Sequence, residues 1–194
     1  TTTVRRLTFD EALEVVSLGG ALVDLRPAPG YLETHVPGSI DVVYEQGPGM
    51  SSRARDCLPL DIPYVLLELG HGDVARAAAA LRGRGFNVAG AVDDALNQWA
   101  AQGESLASTE IISGDAPEGT LLHVGDPGAV APEGAVTIPA EELWPRTGEL
   151  PRGDRVVVVA GYGVRAALCV GVLERRGFAD VALWQSGRGL RAIR

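Results

Sequence analysis

VVVVAGYGVR, at residues 156–165, is the stretch that decides the fold. Four consecutive β-branched residues predict a strand that is covered on both of its faces. The apolar positions that follow have helical spacing and predict a helix over 165–176. Gly161 and Gly163 let the backbone between strand and helix turn tightly, and the unpaired N–H groups at a helix start favour an anion. The sequence therefore predicts an anion-binding loop at this junction.

The same residues carry a family resemblance. AGYGVR at 160–165, with a helix that ends in Gly177-Phe178, resembles the C-x-x-x-x-R active-site loop of rhodanese-type sulfurtransferases. In that family the cysteine becomes a persulfide and passes its outer sulfur to an acceptor. The resemblance places Ala160 at the cysteine position and carries the family's anion-holding arginine onto Arg165. The loop residues that it implies for anion binding are Gly161, Tyr162, Gly163, Val164 and Ala166.

The loop length separates two related activities. Four residues lie between Ala160 and Arg165, which fits the sulfurtransferases, whereas the dual-specificity phosphatases of the same fold carry one more. The resemblance thus favours sulfur over phosphate as the ancestral substrate.

The amino-terminal half carries a second match. ALVDLR at 21–26 and YLETHVPGSI at 31–40 are similar to the D-x-R, E-Y and G-H-I-P-G-A signature of rhodanese domains. Asp24, Arg26 and His35 are the charged or titratable members of this match. We interpret all three as structural, because charged groups at strand ends usually satisfy loop backbone.

An internal repeat predicts the domain organisation. Leu81, Gly85 and Phe86 recur as Leu173, Gly177 and Phe178. We therefore expect two rhodanese-like domains, a degenerate and non-catalytic one at 1–105 and a trimmed one at 106–194 that carries the active-site-like loop. The expected class is α/β, with parallel sheets flanked by helices. The predicted strands are 21–24, 64–67, 121–124 and 156–159, and the predicted helices are 9–18, 74–84, 94–101 and 165–176.

The loop at 68–73 is the degenerate counterpart of the 160–165 loop. Aligning the two Gly-Phe ends puts Glu68 at the nucleophile position and Asp73 at the arginine position. Two carboxylates repel an anion, so we expect this loop to be opened, refilled by another contact or exposed. His71 in the same loop is interpreted as a residue without a catalytic role.

The second copy departs from the pattern elsewhere. Residues 113–119 are punctuated by glycine and proline and predict a loop in place of a helix. His123 is expected to be a hydrogen-bonded core residue. Arg188, in a second glycine-rich stretch, could add a positive charge to the pocket, although a solvated arginine is the simpler interpretation.

The two cysteines are expected to differ. Cys169 has the helical neighbours of a core residue. Cys57 lies in the stretch 51–59, which we expect to be irregular. It has two interpretations: a reactive thiol whose pKa is lowered by Arg53 and Arg55, or a thiol without a role. We expect no disulfide between them, no metal site and no cofactor, since no cluster of His and Cys has ligand spacing.

Charge and composition limit the partners. The net charge of −8 and the pI near 4.9 argue against a nucleic-acid groove. All 17 basic residues are arginine, which excludes Schiff-base chemistry with a lysine of this chain. No apolar run approaches the roughly 20 residues that span a bilayer. We expect an acidic cytoplasmic protein without nucleic-acid or membrane partners.

Two classes of function stay open at this point. One is a sulfurtransferase scaffold that is inactive as written, acting on a small sulfur anion such as thiosulfate with a thiol or protein acceptor. The other is a non-catalytic module that binds an anion or a protein. The two copies also resemble the rhodanese pair appended to some metallo-β-lactamase-fold sulfur hydrolases. Whether Ala160 is natural or a replaced cysteine, and whether the chain belongs to a larger fusion, stays open too.

Overall fold

The computed structural model describes residues 3–125, 129–161 and 163–185. Two parallel β-sheets flanked by helices confirm the predicted α/β class. The helices are α1 (Phe9–Ser17), α2 (Ala28–Glu33), α3 (Gly49–Cys57), α4 (Val74–Gly83), α5 (Ala95–Ala101), α6 (Ala140–Arg146) and α7 (Gly163–Arg175). The strands are β1 (Ala21–Asp24), β2 (Ile40–Asp41), β3 (Pro63–Glu68), β4 (Asn87–Asp93), β5 (Glu110–Ile112), β6 (Thr120–His123), β7 (Val136–Thr137), β8 (Val156–Ala160) and β9 (Val181–Gln185).

The two sheets share one strand order. The first runs β2-β1-β3-β4 and the second runs β7-β6-β8-β9 with β5 added beside β9. The amino-terminal segment takes the corresponding place in the first sheet, since Ala91 of β4 donates to the Arg5 carbonyl and accepts from the Leu7 amide, each at 2.8 Å. Every strand pair in both sheets is parallel. The carboxyl ends of neighbouring strands therefore meet at one edge of each sheet.

The four valines of β8 pack on both sides of the second sheet. Val156 and Val158 belong to the main apolar core, and Val157 and Val159 pack with Trp184 on the opposite face. All four are fully buried. This is the two-sided burial that a continuous run of β-branched residues predicts.

Helix α7 lies between the two sheets. It buries residues on all sides, including Leu168, Val172 and Cys169. One continuous core contains residues from both halves of the chain. The division near residue 105 stays a prediction.

Two element boundaries differ from expectation. The stretch from 51 to 59, expected to be irregular, forms most of α3, which buries Met50, Ala54 and Cys57. That spacing of three and four residues is a helical signal that the polar composition of the segment concealed. Helix α7 begins at Gly163, earlier than the predicted start at 165. Residues 113–119 contain no helix, as predicted.

Candidate functional site

The junction of β8 and α7 lies at the carboxyl edge of the second sheet. Ala160 ends β8, pairs in register with Gln185 of β9 and has no exposed surface. Gly161 is also buried. Because α7 starts at Gly163, the residues Gly163, Val164, Arg165 and Ala166 form its first turn instead of a loop. The candidate anion site is therefore a helix N-terminus that follows the strand almost directly.

Arg165 already has a carboxylate partner. Its Nη2 lies 2.6 Å from Oε1 of Glu141, in the first turn of α6, and both side chains are partly exposed. Burial opposes the guanidinium charge, but the hydrogen bond and Coulomb attraction to Glu141 outweigh it and raise the pKa of Arg165. Glu141 was not a sequence candidate. Its pairing with a residue 24 positions away depends on how α6 packs against α7.

A cavity of about 380 Å³ separates α3 from the first turn of α7. Arg53, Cys57 and Arg165 line it. Cys57 is 5% exposed, and burial, followed by the charge of Glu141, raises its pKa to about 11. Arg53 turns to other partners, donating to the carbonyls of Val42 at 2.6 Å and Val43 at 3.0 Å. The interpretation of Cys57 as a thiol with a lowered pKa is therefore wrong.

The 68–73 loop leads into α4, and a side chain of the loop caps the N-terminus of that helix. The Asp73 side chain accepts hydrogen bonds from the amides of Ala75 at 3.0 Å and Arg76 at 3.1 Å and so caps α4. Glu68 lies 4.0 Å from Nη1 of Arg6. His71 is exposed. A carboxylate of the chain itself thus takes the place where an external anion would bind.

We expect Asp73→Ala to lower the free energy of unfolding by about 1 kcal/mol, because two amides of α4 lose their acceptor. Asp73→Asn, which keeps a capping oxygen, should lose at most a few tenths of a kcal/mol. Urea denaturation of the two variants measures the difference. Equal stability of Asp73→Ala and the parent chain would show that the cap contributes nothing.

The carboxyl edge of the first sheet is acidic. Each of its strands ends on a carboxylate: Asp24, Asp41, Glu68 and Asp93. Asp24 is fully buried and is held by Arg26 through Nε and Nη2, the latter at 2.8 Å. Burial and the neighbouring Asp24 raise the pKa of Asp41 well above its ordinary value. This edge does not suit an anion, and the non-catalytic role of the first half stays a prediction.

Two of the remaining candidates, His35 and His123, form hydrogen bonds within the fold. Two others lie outside the described residues. His35 is fully buried, with Nδ1 2.8 Å from the Tyr31 carbonyl oxygen and Nε2 3.0 Å from both carboxylate oxygens of Glu174. Nδ1 of His123 accepts from the Gly125 amide at 3.2 Å. Tyr162 and Arg188 fall outside the described residues. Within the described ranges, no group of three or more His, Cys, Asp or Glu is arranged to hold a metal ion.

No membrane-crossing helix is found, since none in the described part of the chain combines the necessary length and apolarity.

Solved structures similar to this chain include rhodanese-fold sulfurtransferases. One is a 3-mercaptopyruvate sulfotransferase of Escherichia coli, at 14% identity over 96% of this chain and 100% of that one, with a TM-score of 0.42. Another is a thiosulfate sulfurtransferase of Pseudomonas aeruginosa, at 19% identity over 95% of this chain and 41% of that one, with a TM-score of 0.40. A NAD-dependent persulfide reductase of A. fulgidus shares 21% identity over 63% of this chain and 26% of its own, with a TM-score of 0.38. Neither a protein-family model nor a curated protein sequence matches the chain.

Proposed function

We propose that this chain is a rhodanese-type sulfurtransferase scaffold made of two degenerate copies, at 1–105 and 106–194. With Ala160 in place of the nucleophilic cysteine, the scaffold is inactive. The observation that carries the proposal is the β8–α7 junction. The strand ends at Ala160 on the carboxyl edge, the first turn of α7 presents its amides there, and Arg165 belongs to that turn. The common strand order of the two sheets supports the duplication.

The chemistry needs a nucleophile that Ala160 does not supply. In sulfane transfer a thiolate attacks the outer sulfur of thiosulfate, a new S–S bond forms, the old S–S bond breaks and sulfite leaves with the electron pair. No Ser, Thr or Cys occurs between Ala160 and Ala166 to replace the thiolate. Cys57 is a poor substitute, because a thiol with a pKa of about 11 is almost entirely protonated at neutral pH.

Glu141 is a second obstacle to sulfur transfer, because it competes with the donor anion for Arg165. An incoming sulfur anion has to compete with a carboxylate that already lies 2.6 Å from the Arg165 guanidinium. Charge-assisted hydrogen bonds are among the stronger ones in proteins, so this competition weakens anion binding. Restoring the cysteine alone therefore restores only part of the site.

A non-catalytic binding module is the second candidate. The first turn of α7 and Arg165 are present while no Ser, Thr or Cys lies between Ala160 and Ala166, and this combination favours binding without turnover. In this alternative the first turn of α7 binds a small sulfur anion or a carboxylate of a partner protein, in the cytoplasm, without turnover.

The test is sulfur transfer from thiosulfate to cyanide by Ala160→Cys, with mass spectrometry for one added sulfur atom at position 160. We expect turnover and a persulfide in Ala160→Cys and neither in Ala160→Ser, the matched control without a thiol. We also expect the double variant Ala160→Cys/Glu141→Gln to have a KM for thiosulfate about tenfold lower than that of Ala160→Cys alone. The reason is that Arg165 no longer has to give up a charge-assisted hydrogen bond worth about 1.5 kcal/mol.

Two results would separate the candidates. If the cysteine variants are folded but form no persulfide, the sulfurtransferase scaffold is wrong. Calorimetric binding of thiosulfate by the parent chain, lost in Arg165→Gln, would then establish the binding module.

A further inference from the structure

A cleft lies at the carboxyl end of α7, the end opposite the one that begins in the 160–165 segment. It has a volume of about 750 Å³ and lies between α1 and the amino ends of β8 and β9, where the two halves of the chain meet. Clefts of about 300–1,000 Å³ at such interfaces are typical of small-molecule sites. Several large apolar side chains line it, among them Leu13, Val16, Leu22, Trp99, Phe178 and Val181.

One cation in this cleft lacks a counter-ion. Arg175, the last residue of α7, donates through Nε to the Gly20 carbonyl at 2.8 Å and through Nη2 to the Val16 carbonyl at 3.3 Å. Both acceptors are uncharged, and no described carboxylate forms an ion pair with Arg175. Nη1 donates to no described residue. Burial, followed by the charge of Arg176, lowers the pKa of Arg175.

The other charged side chains of the cleft already have partners. Arg155 donates to Glu110 and to Asp180. Glu174 accepts from the Gly38 amide at 2.9 Å and contacts His35. An anionic group in the cleft therefore has one guanidinium that is not already neutralised by a carboxylate.

We propose that this cleft binds a small amphipathic anion, with one carboxylate or sulfonate on Arg175 and an apolar body against α1 and Phe178. A single unpaired guanidinium above apolar walls matches one negative charge on an apolar body. Multiply charged phosphates fit poorly, because Glu110, Asp180 and Glu174 surround the remainder of the cleft. This site is independent of the sulfur chemistry proposed above.

The test is isothermal titration calorimetry of the full chain with octanoate, 1-octanol and acetate. These probes separate the contribution of the apolar body from that of the charge. We expect saturable binding of octanoate, weaker binding of 1-octanol and no measurable binding of acetate. Arg175→Gln should weaken octanoate binding about tenfold and leave 1-octanol unchanged, because one charge-assisted hydrogen bond is worth about 1.5 kcal/mol. Arg176→Gln is the matched control, since this neighbour lies over the Trp144 ring and does not line the cleft.

A second variant keeps the test decisive if Arg175→Gln fails to fold. Leu13 is half-buried in α1 and lines the cleft, so Leu13→Glu places a like charge beside the anion while the helix is retained. We expect this variant to abolish octanoate binding with an unchanged circular dichroism spectrum. The proposal would be overturned if the parent chain, Arg175→Gln and Leu13→Glu all bound octanoate with equal affinity. It would also be overturned if the parent chain bound octanoate no more tightly than acetate.

Discussion

Gly171→Ala is expected to lower the free energy of unfolding by about 2–3 kcal/mol, the usual cost of forcing extra atoms into a packed core. Gly171 lies where α7 crosses the first sheet. A Cβ atom there would lie 2.6 Å from the Ser39 carbonyl oxygen, 2.7 Å from the Ile40 Cα and 2.9 Å from the Tyr31 hydroxyl oxygen. Two of these are backbone atoms, and the Tyr31 hydroxyl is held by a 2.6 Å hydrogen bond to Ser39. The helix itself has to move away.

Gly83→Ala is the matched control for this prediction. Gly83 ends α4, is exposed, and would have no atom within 4 Å of an added Cβ. Alanine is favoured over glycine in helices by about 0.5–1 kcal/mol, so Gly83→Ala should be neutral or slightly stabilising. Urea denaturation of both variants gives the comparison. If Gly171→Ala is as stable as Gly83→Ala, the close approach of α7 to β2 is not part of the folded protein.

Glu174→Ala is expected to cost about 2–3 kcal/mol, because it removes the hydrogen-bond partner of a buried His35 nitrogen and of the Gly38 amide. Both ring nitrogens of His35 lie against acceptors, the Tyr31 carbonyl and the Glu174 carboxylate. The Tyr31 carbonyl oxygen can only accept, so Nδ1 carries a hydrogen, and Nε2 pairs with the Glu174 carboxylate. Glu174 also accepts from the Gly38 amide. Truncation therefore leaves a buried ring nitrogen and a backbone donor without their partner.

Thermal and urea unfolding measure this loss, with Glu142→Ala as the control. Glu142 pairs with Arg146 within α6 at 55% side-chain exposure, and such exposed pairs contribute at most about 0.5 kcal/mol. Glu174→Gln, which keeps one acceptor oxygen, should lie between the two. A loss in Glu174→Ala no greater than in Glu142→Ala would show that the contacts of Glu174 with His35 and Gly38 contribute no more than an exposed ion pair.

The two stability predictions concern one helix. Gly171 and Glu174 both belong to α7, whose other end begins next to Ala160. Helix α7 therefore joins the candidate site to the contact between the two halves. Substitutions at its carboxyl end should be examined for effects on the site as well as on stability.

Local patterns determined the elements of this protein. The valine run of β8, the Gly-Phe repeat and the alternation of apolar strands with helical spacing predicted parallel sheets flanked by helices, because side-chain burial on a strand or a helix has a fixed period. The two sheets share one strand order, and the duplication that the two Gly-Phe ends indicate stays a prediction. The absence of a nucleophile between Ala160 and Ala166 also needs only the sequence.

The tertiary structure alone decided which groups meet. Arg165 pairs with Glu141, His35 with Glu174, and Cys57 is buried in α3 with a raised pKa. Partners 24 and 139 residues apart cannot be inferred from spacing, because their meeting depends on how α7 packs against α6 and against the first half of the chain. The same packing leaves Arg175 without a carboxylate while its neighbour Glu174 is fully engaged. The sequence by itself thus determined the strands, the helices and the lack of a Ser, Thr or Cys between Ala160 and Ala166. Side-chain packing across the chain decided which charged groups are paired and which side chains are buried.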